Sequence, residues 1–385
     1  MSKKQNTAIK QPRYRNAELT ERRNLKMARS IHAYVRGNTA KYYDWLKQAE
    51  ISSIPQGPAI WICGDCHTGN LGPVANAEGK IDIEIRDLDQ TVIGNPANDL
   101  IRLGLSLATA VRSSDLPGVV TAQMIEALYA GYIYALERSG RTSDQLQRPA
   151  LVHSVMEKAV KRSWKSLAKE RLEDVKPQIT LGKRFWPLLK KEQLEIHNVF
   201  AQPDIEDLVK MIGQRDASAQ LKVIDSAYWV KGCSSLGLLR YIVLMDSSNH
   251  IVRDGKGLCL MDLKEATTAL APRYSNAPMP KDNAMRIVEG ARHLSPYLGF
   301  KIRNRGHESN WGERFGVLFG FCGRTAHVRQ MDDSTRNSWL KELQRNQSKT
   351  IDAPFWLWRS IVELISVHEA GYLDHCRRYA LAHQK

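Results

Sequence analysis

Short apolar runs and longer stretches at helical spacing alternate in blocks along this chain. From Ala17, apolar residues fall at Leu19, Met27, Ile31 and Tyr34. That spacing predicts a helix ending near Arg36-Gly37, where glycine suits a C-terminal cap. Ala59-Ile-Trp-Ile-Cys63 is an uninterrupted apolar run and reads as a buried strand. Lys80-Ile-Asp-Ile-Glu-Ile85 alternates at period two and reads as a second strand. Residues 97–139 read as two helices broken near Ser113-Ser-Asp-Leu-Pro117, with Leu100, Leu103, Leu107 and Val111 on one face. Basic helical sequence follows from Ser154 to about Val175. Pro177 and Gly182 mark a break, and further helix is expected around Lys191 to Ile212.

The pattern then changes. Leu221 to Glu265 is β-rich: Tyr228-Trp-Val230 runs into the turn Lys231-Gly-Cys-Ser-Ser-Leu-Gly237, Leu238 to Met245 is a strand, and Leu258 to Lys264 is another. A helix is predicted over Asn283 to Leu294, and the remainder after Phe315 reads as helical. The fold class expected is α+β.

Composition narrows the picture only a little. The 385 residues are 43% apolar, enough to bury a sizeable core. The formal net charge of +15 favours polyanionic partners such as nucleotides, nucleic acid or acidic membranes, or is simply a solvated basic surface. Much of it is concentrated before residue 37, where only Glu18 and Glu21 oppose ten lysines and arginines; the first ~15 residues are expected to form a mobile arm. A second basic run, around Lys158, Lys161, Arg162, Lys165, Lys169 and Arg171, is read as a solvated face. Trp339, Trp356 and Trp358 are read as core. Six scattered cysteines do not make a disulfide framework. Cys63 and Cys66 have the spacing of a redox pair or half a zinc site, but no second pair accompanies them, so buried thiols are expected. The basic N-terminus lacks an apolar signal core and no run reaches ~18 apolar residues, so a cytoplasmic protein without a membrane span is expected.

The chemistry lies in Gly64-Asp-Cys-His-Thr-Gly-Asn70, Arg86-Asp-Leu-Asp89 and Gly94-Asn-Pro-Ala-Asn-Asp99. The first strand delivers Asp65 into a turn, with Asn70 five residues on, and the second delivers Asp87 to the same region. Phosphoryl transfer with a divalent metal needs such a set: one carboxylate to orient the acceptor, and an Asn and an Asp to hold Mg²⁺. The plain alternative is that these acids cap turns and helices. The glycine turn adds a second element. Backbone N–H groups from Gly232 through Ser234, Ser235 and Gly237 suit phosphate oxygens, Lys264 would neutralise phosphate charge, and Glu289 is the acid expected to hold that lysine. Glu265, next to Lys264 on a strand, should point the other way.

The set GDCHTGN, RDLDQT and GNPANDL closely resembles the catalytic stretch of aminoglycoside- and choline-type phosphotransferases. That resemblance implies Asp65 as catalytic base, His67 orienting the loop, Asn70 and Asp87 holding metal, and Asp99 bracing the loop. Asp89 is a further metal candidate from the acidic pair itself. In ordinary kinases the glycine lid and its lysine precede the catalytic Asp; here they follow it, as a circular permutation would require. Phe321-Cys-Gly-Arg-Thr-Ala-His327 resembles the helix that precedes the catalytic loop in those enzymes. The same order is similar to that of domain-of-unknown-function family 2252, over roughly Asn24 to Tyr379. Its marks here are Tyr34-Val-Arg-Gly37, GDCHTGNLG, RDLDQT, GCSSLGLLRY and DLKEA. Arg86 and Gln90 depart from that family's usual Asn and Glu.

The organisation expected is a basic arm and helix over 1–58, a catalytic helical lobe over 59–220, a β-rich nucleotide lobe over 221–314 and returning C-terminal helices over 315–385. The function expected is transfer of the ATP γ-phosphate, with Mg²⁺, to a small-molecule hydroxyl or amine. The alternatives are a degenerate nucleotide-binding regulator, an AMP transferase and a basic nucleic-acid binder.

Overall fold

The computed structural model describes residues 11–49, 53–76, 80–114, 117–137, 178–212, 221–233, 235–246, 258–299, 303–304, 315–317, 326–345 and 353–379. The expected N-terminal arm up to residue 10, the basic helix after Ser154, Ser234 and Cys322 lie outside the described residues. The fold is mixed α+β.

Helix α1 (Pro12–Met27) starts earlier than expected, with proline in its first turn. It stops before Ser30, whose hydroxyl accepts the Ala33 N–H and opens α2 (Ile31–Gly37). The expected single helix is therefore two. Asn38 caps α3 (Thr39–Gln48) in the same way.

Strand β1 (Ile60–Ile62) does not pair with the other predicted strand. It pairs antiparallel with β4 (Val92–Gly94), while β2 (Leu71–Ala75) pairs with β3 (Ile81–Ile85). The two acid-bearing loops still converge, because both strand pairs open onto one region.

Helices α4 (Ala97–Arg112) and α5 (Gly118–Glu137) break where Ser113 to Pro117 suggested. With α3, α10 (Asp333–Gln344) and α11 (Phe355–Tyr379) they enclose the largest core, built on Leu100, Ile101, Leu105, Trp339, Leu357 and Ile361. Trp339 and Trp356 are buried in it and Trp358 packs against it. Helix α5 is long and apolar enough, by length and composition, to cross a membrane. In this fold it packs Ile125, Tyr129, Ala135 and Leu136 into that core.

The main sheet has six strands in the order β5-β6-β7-β8-β10-β9: β5 (Phe185–Trp186), β6 (Lys222–Trp229), β7 (Arg240–Asp246), β8 (Leu258–Glu265), β9 (Arg303–Asn304) and β10 (Phe315–Val317). It is antiparallel throughout. The expected boundaries of 221 and 314 therefore cut it short at both sides. Phe315–Val317, expected to begin helical sequence, is a strand paired with β8. One face packs Tyr241, Val243, Met245 and Leu263 onto α6 (Lys190–Phe200) and α7 (Pro203–Ile212). Helix α8 (Asn283–Leu294), followed by the single turn α9 (Pro296–Gly299), packs Ile287, Val288 and Ala291 against Trp61, Cys63 and Leu88.

Helix α1 spans the two halves. At one end Arg15 makes a two-pronged buried ion pair with Glu192 of α6, at 2.5 and 2.7 Å. At the other, His375 and Tyr372 of α11 bond to the carbonyls of Asn24 and Ala28.

Candidate active site

The turn after β1 is fixed from below. Asp99, in the first turn of α4, accepts the N–H groups of Cys63 (2.7 Å) and Gly64 (2.9 Å). His327 Nε2 donates to the same carboxylate at 3.1 Å. Asn95 shapes the entry to α4: its amide oxygen accepts the Ala97 N–H and its amide nitrogen donates to the Pro55 carbonyl. Gly64 has φ +73°, and a side chain there would run into the Gln90 carbonyl. The Tyr43 hydroxyl donates to the Gly64 carbonyl.

Asp65 is therefore presented in one orientation and is 7% exposed. Arg102 Nε donates to its Oδ1 at 2.9 Å, and the Thr39 hydroxyl to its Oδ2 at 3.0 Å. The Asn70 side-chain amide donates to the Asp65 backbone carbonyl at 2.9 Å, which closes the loop on itself. His67 Nε2 stands 3.9 Å from Asp65 Oδ2. Burial, aided by Arg102 and Arg36, pushes the His67 imidazole down to about 4 against the pull of Asp65, so it is neutral at pH 7.

Each residue of the acidic loop has a task. Arg86 donates to the Gly69 carbonyl at 3.0 Å, Leu88 is fully buried, and Gln90 accepts the Leu270 N–H. Thr91 donates to the Ile62 carbonyl at 2.6 Å. Asp87 and Asp89 both meet Lys264 of β8, Asp87 at 3.0 Å. Burial pushes Asp87 upward, but Lys264 outweighs it and holds the carboxyl below the ordinary range. Burial and the neighbouring Asp87 raise Asp89. Lys264 is itself 3% exposed, and the adjacent strand places Arg240 beside it, neutralised by Asp262 at 2.9 and 2.5 Å.

Glu289 is a correction. It pairs with Arg292 on its own helix at 2.5 Å, while Lys264 takes Asp87 and Asp89 instead. What α8 brings to the site is Arg286, whose guanidinium donates to the carbonyls of Asp89, Thr91 and Thr267. Glu265 turns away from Lys264 and accepts the Leu239 N–H.

Asp65, Asn70, Asp87 and Asp89 line one cavity of about 770 Å³, and so do Ser235 and Gly237 of the glycine turn. Gly232 and Gly237 both take positive φ, so the turn needs its glycines. Gly232 and Lys264 line an adjoining cavity. Cys63 and Cys66 are buried free thiols.

Several site residues escaped sequence reasoning. Arg102 had a signal: it lies three residues after Asp99, hence on the same helix face. Thr39 had none. Asn16, Thr20, Arg23 and Asn24 of α1 wall the larger cavity, and Lys26 donates to the Gly232 carbonyl at 2.7 Å.

Among the described residues no three of His, Cys, Asp and Glu gather into a metal site. The residues present nevertheless suit a hard divalent cation completed by phosphate oxygens, which needs only one or two protein carboxylates. Asp89 Oδ1 is buried without a hydrogen-bond partner, and Asn70, its amide nitrogen committed, has only its amide oxygen to offer.

No curated protein and no solved structure matches this chain. One family model does, over residues 15–302, which includes the Asp65 turn, the acidic loop, the glycine turn and Lys264. The chain thus belongs to DUF2252, described as an uncharacterized protein conserved in bacteria.

Proposed function

We propose that this protein is an ATP- and Mg²⁺-dependent phosphotransferase with a kinase-like fold whose lobes are permuted in sequence. One observation carries the reading. Lys264 stands at Asp87 and Asp89, in the same site as Asp65, Asn70 and the glycine turn. A lysine paired with metal-binding acids beneath a glycine turn is the arrangement that positions a polyphosphate.

In this reading Asn70 and Asp87 hold the metal, with Asp89 beside them. When bound, Mg²⁺ neutralises charge on the transferring phosphoryl group. The backbone of Gly232, Ser235 and Gly237 covers the phosphates, and Lys264 balances their charge. Asp65 Oδ2, bonded once to Thr39, keeps a lone pair for an acceptor hydroxyl or amine. Neutral His67 adds no further positive charge to that of Arg102 beside the carboxylate. Asp99, His327 and Arg102 act by position. The protein works in the cytoplasm, with the Cys63 and Cys66 thiols reduced.

Melting temperature with and without ATP–Mg²⁺, on wild type and Asp87→Ala, tests the binding step. A metal-dependent rise that the variant loses is expected; no rise at millimolar ATP overturns the reading. Asp65→Ala should then bind nucleotide but not turn it over. A second reading, nucleotide binding without transfer, draws on the fact that Arg102 and Thr39 already engage both oxygens of Asp65. Binding without turnover by wild type across an acceptor screen would favour it.

A further inference from the structure

Behind Asn70 and Asp87 lies a second cavity of about 350 Å³, which shares with the larger one only those two residues and Ser235. Its lining carries Lys26, Arg36, Arg86, Lys231, Arg240 and Lys264 against the single carboxylate of Asp87. Asp87 is committed to Lys264, and Arg240 to Asp262. Among the described residues Lys26 bonds only to a neutral carbonyl, that of Gly232.

Arg36 is the most telling member. Its guanidinium makes no ion pair or hydrogen bond among the described residues, and its Nε is buried without a partner. The chain makes room for it: a Cβ on Gly69 would overlap the guanidinium. Arg86 lines the same cavity, and its guanidinium donates to the carbonyl of Gly69, the residue against which Arg36 packs. His67 lines the same wall, is 5% exposed, and has a buried Nδ1 without a partner. The guanidinium of Arg36 and the buried Nδ1 of His67 thus leave donors on this cavity lining that an anion would satisfy.

We propose that this cavity is an anion subsite for a phosphoryl group, with Arg36 as its principal recognition residue and Arg86 and Lys26 beside it. Donors converging from α1, α2 and the acidic loop suit a tetrahedral group with several charged oxygens better than a planar carboxylate. The phosphoryl group belongs either to the end of the nucleotide or to a phosphate ester bound as second ligand. Anion binding there needs neither metal nor transfer, so the subsite stands or falls separately from the proposed reaction.

The test is titration of the full chain with pyrophosphate in metal-free, chelator-containing buffer at fixed ionic strength, followed by calorimetry. Wild type is expected to bind saturably, Arg36→Gln to lose about tenfold or more in affinity, and Arg36→Lys to lose less. Absence of saturable binding by wild type, or equal binding by Arg36→Gln, overturns the proposal. Should Arg36→Gln fail to fold, Arg86→Gln takes its place with the same criterion. Displacement of pyrophosphate by ATP–Mg²⁺ assigns the subsite to the nucleotide; simultaneous binding assigns it to a second, phosphorylated ligand.

Discussion

His327 Nε2 donates to Asp99 Oδ2 at 3.1 Å across 228 positions of sequence. The same carboxylate holds the N–H groups of Cys63 and Gly64. One aspartate thereby fixes the turn that presents Asp65, and a residue from the far side of the chain fixes the aspartate.

Asp99→Ala should cost about 3 kcal/mol, because it strands two buried N–H groups. His327→Ala removes that bond and the one its Nδ1 accepts from the Tyr132 hydroxyl, and should cost about 1–2 kcal/mol. Urea unfolding measures both. A loss under 0.5 kcal/mol for Asp99→Ala would show that the turn holds without its brace.

Lys264 separates two acids that otherwise face each other. Lys264→Met should destabilise by about 2–4 kcal/mol at neutral pH, since removing one partner leaves buried charge uncompensated. Adding Asp89→Asn should recover part of that loss. Melting curves of the single and double variants decide it; no recovery would mean that Lys264 acts through packing.

Helix α8 offers two charged residues one turn apart with opposite expectations. Arg286→Ala frees two carbonyls of the acidic loop and that of Thr267 after β8, and should cost about 2–3 kcal/mol. Glu289→Ala breaks only a partly exposed pair and should change stability by about 0.5 kcal/mol or less. Equal losses would restore Glu289 to the site.

Glu84 sets a pH dependence. It is 2% exposed, and burial raises its carboxyl from 4.5 to about 8 despite Arg329 nearby. The folded state thus holds a proton that the unfolded state releases. Stability from this group is full below pH 4.5, falls as pH rises through the window to about 8, and is flat above it. Glu84→Gln should flatten that slope and raise the melting temperature at pH 8.5. An unchanged slope across the window would place the titration elsewhere.

The sequence disclosed what local pattern controls. Asn283–Leu294 has the predicted bounds because Asp282 accepts the Met285 N–H at its start and Ser295-Pro296 ends it. Strand β1 was legible from its apolar run and β3 from its alternation at period two. Strand β2 was not, since Gly72-Pro73 sits inside it, and β4 is three residues long and ends in Gly94. Glu289 was chosen for charge, with the right helix but the wrong residue. Lys264 already had Asp87 and Asp89, and the rotation of α8 about its axis is set by packing. Helix α1 was legible from Ala17 onward, but its start at Pro12 and its role as a strut were not, because its anchors, Glu192 and His375, lie 177 and 351 positions from their partners.

Those anchors bear on how the protein is made. The turn that presents Asp65 and the acidic loop both precede residue 92, yet His375 and Tyr379 complete the larger cavity and α11 holds α1 against it. A nascent chain stalled before residue 379 carries every acid of the site without the enclosure around them. Closure of the cavity is thereby tied to the docking of α11 on α1.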